Sequence, residues 1–380
     1  MIQMHAAIQT AGQAIPSRPD WRLSLAAVAR VSRQRGRQGT SAHLAIISLD
    51  GEEQRGVELQ LSERGTTMKY DVEADWQLLN TCNYRCPYCF FDNDTLGEKI
   101  KPAASNEAWQ HAFDRSGLTW LLHMTGGEPS VYPDFVDLCA RLTGRHLLSI
   151  NSNMTYKSWQ DFARRISPRR VSFINAGFHL AERERKNGLK PYLDNVENLK
   201  EAGFQIMSSL VATPEALARF EEAIDLLAPI GMFPIPKVLR GHHEGKWYPG
   251  AYTSTERRTF RHYNEAARAF YAPALKDRDE RPTVDMFGDD RMLHGTPNYD
   301  GLRCGAGRLF FKIEPNGDVF RCGNSRAYGN LLDGTFWRED RAEPCDSVHC
   351  YYFCEKYSER PPLSRRLHRL ARTTVREVLR

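Results

Sequence analysis

The chain has 380 residues, 41% of them hydrophobic, and a formal net charge of +5. That length allows two domains or one large barrel with an appendage, and the apolar content excludes a disordered polymer. The charge is too small to mark a nucleic-acid binder, and no run of about 18 apolar residues offers a membrane span.

Residues 1–16 lack a basic stretch followed by an apolar core, so no signal peptide is expected and the expected location is cytoplasmic. Thiols stay reduced there, and clustered cysteines are read first as metal ligands or redox groups. Residues 1–70 form an extension of unassigned role. Within it, apolar runs at 42–47 and 57–61 flank Asp50-Gly51, the pattern of a hairpin, and Arg30, Arg33, Arg35 and Arg37 precede them.

From Trp76 onward strand and helix alternate. Strands are expected at 76–79, 120–124, 146–150, 171–174, 204–211 and 232–239. Phe135, Leu138, Cys139 and Leu142 fall on one helical face, where Cys139 reads as a small core residue. Leu193, Val196 and Leu199 form a second stripe that Gly203 ends. Thr213-Pro214 caps a third, with Leu217, Phe220, Ile224 and Leu227 on one side. Six such units imply an α/β fold with a parallel sheet and right-handed crossovers. Six are too few for the closed eight-fold barrel, so the core at 71–240 is expected to be a partial, TIM-like (β/α)6 barrel. Its ligands then bind beyond the C-terminal ends of the strands.

Directly after the first strand comes Cys82-Asn83-Tyr84-Arg85-Cys86-Pro87-Tyr88-Cys89. Three thiolates on one loop can hold three irons of a [4Fe–4S] cube, and with no fourth cysteine nearby one iron keeps an open position. A zinc knuckle completed by a remote histidine is the alternative. The second strand runs into Thr125-Gly126-Gly127-Glu128-Pro129, the third into Asn151-Ser152-Asn153, and the fourth into Asn175-Ala176-Gly177-Phe178-His179.

The Cys-x3-Cys-x-aromatic-Cys triplet with Tyr88, followed in order by these segments, resembles the radical S-adenosylmethionine (radical SAM) superfamily over residues 75–240. The resemblance implies that S-adenosylmethionine chelates the open iron. It implies that the Thr125–Pro129 segment and its Glu128 hold the methionyl ammonium. It further implies that Asn151, Ser152, Asn153 and His179 contact the rest of the cofactor. Reductive cleavage to a 5′-deoxyadenosyl radical and hydrogen abstraction from a substrate would follow. A one-electron reductant such as flavodoxin or ferredoxin is implied as well.

A second cysteine set follows a connecting segment at 241–300. Cys304 and Cys322 bracket a hairpin pattern at 310–320 around Glu314-Pro315-Asn316-Gly317, in a Cys-x12-Gly-x4-Cys spacing. Cys345, Cys350 and Cys354 come later. This arrangement resembles the SPASM and twitch auxiliary domains of a radical SAM subgroup. It implies a shortened domain at 301–360 with one auxiliary [4Fe–4S] cluster on four of the five cysteines, Cys345 or Cys350 being the spare. A zinc-ribbon site is the alternative. Two [4Fe–4S] clusters are therefore expected in all.

Lys237, Arg240, His242, Glu244, Trp247 and Tyr248 follow the sixth strand and are expected at the open mouth, against substrate. Auxiliary clusters suit net oxidation or epimerisation. The irregular N-terminus leans the reading toward a small molecule or glycan over a ribosomal peptide. A structural iron–sulfur or zinc protein is the non-enzyme reading. The tail at 361–380 carries six arginines and one glutamate and reads as a basic docking helix.

Overall fold

A computed structural model describes residues 69–275, 286–294, 299–323, 326–346 and Tyr357, together with 32–33 and 42–43. The chain divides into two units, Met1–Arg64 and Gly65–Arg380. In the first, Ala42–His43 pairs antiparallel with Ser32–Arg33, inside the arginine-rich stretch. The expected hairpin partner at 57–61 and the basic tail at 361–380 lie outside the described residues.

The second unit is built on one sheet. Its parallel strands are β1 (Val72–Leu79), β2 (Trp120–Gly126), β3 (Leu147–Ser152), β4 (Val171–Gly177), β5 (Ile206–Val211) and β6 (Pro234–Lys237), each hydrogen-bonded to the next in chain order. A short antiparallel hairpin, β7 (Gly241–His243) with β8 (Lys246–Tyr248), follows β6. Farther on, β9 (Arg303–Cys304) pairs with β13 (Glu343–Pro344). Between them, β10 (Phe310–Ile313), β11 (Asp318–Phe320) and β12 (Ala327–Asn330) add to the free edge of β1, with β10 parallel to it. The expected C-terminal hairpin is thus present, and it continues the core sheet. Six sequential parallel strands with helical crossovers give the expected open α/β architecture.

Alternation along the strands separates two faces. Val72, Ala74 and Trp76 of β1 pack under helix α2 (Asn106–Arg115), which follows the short α1 (Asn93–Gly97), and the Trp76 ring lies 4.9 Å from Trp109 and 5.0 Å from Phe113. The outer layer continues with α3 (Phe135–Leu142), α4 (Ser158–Arg165), α5 (Leu180–Arg185) and α6 (Leu189–Glu201), then α7 (Pro214–Ala218) and α8 (Phe220–Leu227). The α3 stripe is buried as its spacing requires, Cys139 included. Thr213 caps α7 by accepting from the Ala216 N–H, and Arg219 splits α7 from α8 where one helix was expected. Helix α9 (Ser254–Leu275) occupies the segment read from sequence as a connection. Its Ala267 and Tyr271 pack with Met286 and Phe287 against Phe173, Met207 and Ile235, on the inner face of β4, β5 and β6. The inner face of β10, β1, β2 and β3 instead carries Lys312, Glu73, Asp75, His123 and Ser149 beside Phe310, Leu121 and Leu147.

Candidate functional site

The Cys82, Cys86 and Cys89 loop leaves β1 and is braced on both sides. The Cys82 N–H donates to Leu96 O at 3.0 Å, and the Cys89 N–H closes onto Cys86 O at 2.9 Å. Arg85 donates through Nη1 to Cys82 O and Tyr84 O, while its backbone N–H donates to Glu182 Oε2 at 2.9 Å. Burial pushes the Cys82 thiol up to about 11 and Cys86 up to about 12, and raises Cys89. Without a cation beside them these groups stay protonated at neutral pH. Among the described residues, only Glu215, His243 and Glu244 bring three possible ligand atoms within 4.8 Å of one another. The three thiols are therefore spread too widely for a single ion. A spread, thiol-only donor set with no disulfide fits a multi-iron cluster better than zinc.

The next loop lies directly on the first. Gly126 has φ +130°, and a Cβ there would sit 2.1 Å from Leu79 O; one on Gly127 would sit 2.1 Å from Thr81 O. Glycine is required here by the approach of the cysteine loop's own backbone. Glu128 is 1% exposed and accepts from four protein donors, three on one oxygen and one on the other. Oε1 accepts from the Ser130 N–H at 3.0 Å, Ser130 Oγ at 2.5 Å and Ser152 Oγ at 2.7 Å; Oε2 accepts from the Asn153 N–H at 2.6 Å. In this structure the carboxylate ties the loop after β2 to the end of β3. Burial raises its pKa while these donors work in the opposite direction.

Asn153 extends the tie to the cysteine loop, donating to Asn83 Oδ1 at 2.7 Å. Ser152 stays in the Glu128 clamp, whereas Asn151 turns to the inner face and accepts from Asn175 Nδ2 at 3.0 Å. Thr125 pairs in register with Gln77, and Pro129 opens a short 3-10 turn. His179 lies behind Tyr88, with 2.7 Å from Nδ1 to the phenol oxygen. Burial, then the Arg183 charge, pushes the imidazole down to about 3, so it is neutral.

Arg183 joins these pieces and carries no sequence signature. It is buried, and its guanidinium donates to Asn153 O at 2.7 Å, Gly177 O at 2.6 Å and Gly188 O at 3.3 Å. It also reaches the Tyr84 hydroxyl at 3.3 Å and stacks 3.9 Å from the Tyr192 ring centroid. The loops after β1, β2, β3 and β4 therefore form one hydrogen-bonded rim.

Below the rim runs a buried polar row that the sequence reading missed. Lys312, Asp75, His123 and Ser149 are register neighbours across β10, β1, β2 and β3. His123 Nδ1 lies 2.8 Å from Ser149 Oγ, and its Nε2 lies 3.1 Å from Glu73 Oε2. Glu73 Oε1 accepts from Tyr70 and, at 2.7 Å, from Tyr357. Asp75 has a buried Oδ1 with no hydrogen-bond partner. Burial pushes its carboxyl up to about 6, against the pull of His123 and Lys312 and with a further push from Glu314.

The residues expected to meet substrate divide. Lys237 and Arg240 are engaged by Asp289, at 3.0 and 3.4 Å from Oδ1. Burial raises that carboxyl, but the two cations outweigh it and hold it below its usual range. Tyr248 is a core residue, 4.9 Å from the Tyr252 ring, because the hairpin folds it inward. His242 and Trp247 form an edge-to-face pair at 4.7 Å, with Trp247 58% exposed, and Glu244 is exposed at the hairpin turn.

Near the C-terminus, Cys304, Cys322 and Cys345 share one cluster with Ala306, Phe310 and Tyr357. Two backbone hydrogen bonds place Cys345 beside Cys304: its N–H donates to Leu302 O at 2.8 Å, and its carbonyl accepts from Gly301 at 2.7 Å. Gly317 turns the hairpin at φ +90°. Cys350 and Cys354 lie outside the described residues.

Residues 76–227 match the model of the Radical SAM superfamily. The mycofactocin maturase MftC of Mycolicibacterium smegmatis is 25% identical over 281 residues, covering 69% of this chain and 68% of that protein. MftC of Mycobacterium tuberculosis is 24% identical over 258 residues, covering 65% and 63%. The chain thus spans about two thirds of these relatives. Among solved structures, anSMEcpe with bound AdoMet gives a TM-score of 0.48 at 14% identity, covering 70% of this chain and 76% of that one. Streptococcus suis SuiB bound to precursor peptide SuiA gives 0.44 at 17% identity, covering 72% and 66%.

Proposed function

We propose that this chain, whose residues 76–227 match the Radical SAM superfamily model, is a radical SAM maturase that oxidises or epimerises a residue of a peptide. The observation that carries the enzyme reading is the rim itself: three thiols on the loop after β1, hydrogen-bonded to the loops after β2, β3 and β4. Cys82, Cys86 and Cys89 would hold a [4Fe–4S] cluster whose open iron takes S-adenosylmethionine. When bound, that pair supplies one-electron cleavage to a 5′-deoxyadenosyl radical, with flavodoxin or ferredoxin as electron donor.

The protein's own contribution is placement and exclusion of water. Glu128 and Arg183 fix the loop backbones, and neutral His179 holds Tyr88 behind the cysteines. The inner face below would receive the substrate. A second cluster on Cys304, Cys322, Cys345 and one of Cys350 and Cys354 would take the second electron of an oxidation. The peptide reading rests on the MftC relatives, whose names are those of maturases, and it replaces the small-molecule or glycan expectation.

The test is anaerobic reconstitution with iron and sulfide, then dithionite and S-adenosylmethionine. About eight irons per chain with 5′-deoxyadenosine formation is expected; no product under full reduction would overturn the enzyme reading. Short peptides encoded beside the gene are then added singly. Loss of two hydrogens, or solvent deuterium at one α-carbon, supports the maturase. Turnover of a sugar with every such peptide left unchanged would overturn the peptide assignment.

A further inference from the structure

We propose that Glu215, His243 and Glu244 form a divalent-cation site beyond the C-terminal ends of β5 and β6, separate from both cysteine sets. One nitrogen and two carboxylate oxygens converge there within 4.8 Å of one another. The donors come from two places in the chain. Glu215 lies in the first turn of α7, directly after β5, and Thr213 fixes that turn by its cap. His243 and Glu244 come from the β7–β8 hairpin, where His243 pairs with Lys246 and Glu244-Gly245 makes the two-residue turn at φ +47° and +71°.

His243 turns this cluster into a site. Its side chain is 5% exposed, and Nε2 is fully buried without a hydrogen-bond partner. The atom nearest to answer it is Glu215 Oε2, at 3.5 Å and outside hydrogen-bond geometry. A buried imidazole nitrogen aimed at a carboxylate it does not bond is one atom short of satisfaction. A proton on that nitrogen would serve one carboxylate at poor geometry and leave the other unmatched. A metal ion between the three would bond the nitrogen lone pair and neutralise both carboxylates.

The donor set selects the ion. One imidazole and two carboxylates suit zinc, manganese(II) or iron(II), and they disfavour copper(I) and iron–sulfur clusters, which seek thiolates. Metal–ligand bonds of about 2.0–2.2 Å hold donors at separations compatible with this convergence. Three protein ligands leave coordination positions open to water or to an anionic group. This site does not depend on the peptide reading and stands or falls on metal binding alone.

The experiment uses the full-length protein with its iron–sulfur clusters reconstituted, stripped of loose metal by chelator and desalting. Manganese(II) chloride is titrated in, and the free-ion electron paramagnetic resonance signal is followed. Uptake of about one ion per chain is expected, with displacement by zinc(II). Glu215→Gln changes a half-exposed side chain and leaves the core intact, so it is the first variant; His243→Gln is the second. Each removes a direct ligand and is expected to weaken uptake by about 100-fold or more, the upper end of what loss of an outer-shell partner costs, with the iron count unchanged. No uptake by the wild-type protein would overturn the site. Uptake undiminished in either variant would overturn it too, since the ion would then sit elsewhere.

Discussion

Asp75→Asn is expected to stabilise the protein, and to do so more at high pH than at low. The carboxyl sits on the inner face of β1 with an unpartnered oxygen, and burial raises its pKa from 3.8 to about 6. The folded state therefore keeps the proton up to about pH 6, while the unfolded chain releases it near 3.8. Stability falls as pH rises between those values and then levels off. At about 1.4 kcal/mol per pH unit the cost is about 3 kcal/mol at pH 8 and roughly half that at pH 5. Asparagine has the same shape and no charge to desolvate, so the variant should gain up to those amounts. Anaerobic urea unfolding of the reconstituted protein at both pH values measures the difference. A variant less stable than wild type at pH 8 would refute the reasoning, because it would mean that Lys312 and His123 hold the ionised carboxylate favourably. An equal shift at both pH values would refute it as well.

Replacing Cys82, Cys86 and Cys89 together with alanine should reduce S-adenosylmethionine cleavage to background while leaving C-terminal iron in place, read by iron count and product assay. Gly127→Ala puts a Cβ 2.1 Å from Thr81 O and 2.3 Å from Asn80 O; the cysteine loop must shift, and 5′-deoxyadenosine formation should fall by about 100-fold, the order expected for misplaced reacting groups. Arg183→Met removes the guanidinium donor from Asn153 O and Gly177 O, while Gly188 O keeps the Tyr192 N–H; at about 1–3 kcal/mol for each lost donor it should cost several kcal/mol in urea unfolding. Preserved stability in that variant would show that the arginine is not the tie it is taken to be.

Much of the core was legible because its helices follow simple periodicity. The α3 stripe and the Thr213 cap are local patterns, and the structure repeats them. The strand ends were harder. Sequence stopped β2, β3 and β4 at Met124, Ile150 and Ile174, since the polar residues beyond them look like loop. They remain in the sheet because Asn151 and Ser152 pair with Asn175 and Ala176. The start of β1 was missed for the same reason: Glu73 and Asp75 are charged, and only the inner polar row explains charges in a buried strand. Helix α9 was missed because its inward residues contact distant strands, so its pattern makes sense only after folding. The cysteine loop and the segments at 125–129 and 151–153 were visible as motifs, but their partners were not. Glu128 was visible as part of the segment at 125–129, but its four protein donors from Ser130, Ser152 and Asn153 were not. Arg183 lay among other charges at 182–186, where nothing local marks Glu182 and Arg183 as the two that are buried.

The placement of β10 links the two cysteine sets mechanically. β1 launches the Cys82 loop, and it is held between β2 on one side and β10 on the other. β10 follows Cys304 by a short turn, and β11 leads to Cys322 within two residues. One hairpin thus supplies both the edge that completes the core sheet and the frame of the second cysteine set. Tyr357 adds a side-chain link, since its hydroxyl donates to Glu73 on β1 while the residue packs against the cluster of Cys304, Ala306, Phe310 and Cys322. A strand bonded along its length is stiff, because moving it breaks several ladder hydrogen bonds at once. The spacing between the two sets is therefore set by sheet geometry, and damage to the hairpin should reach the first set through β1.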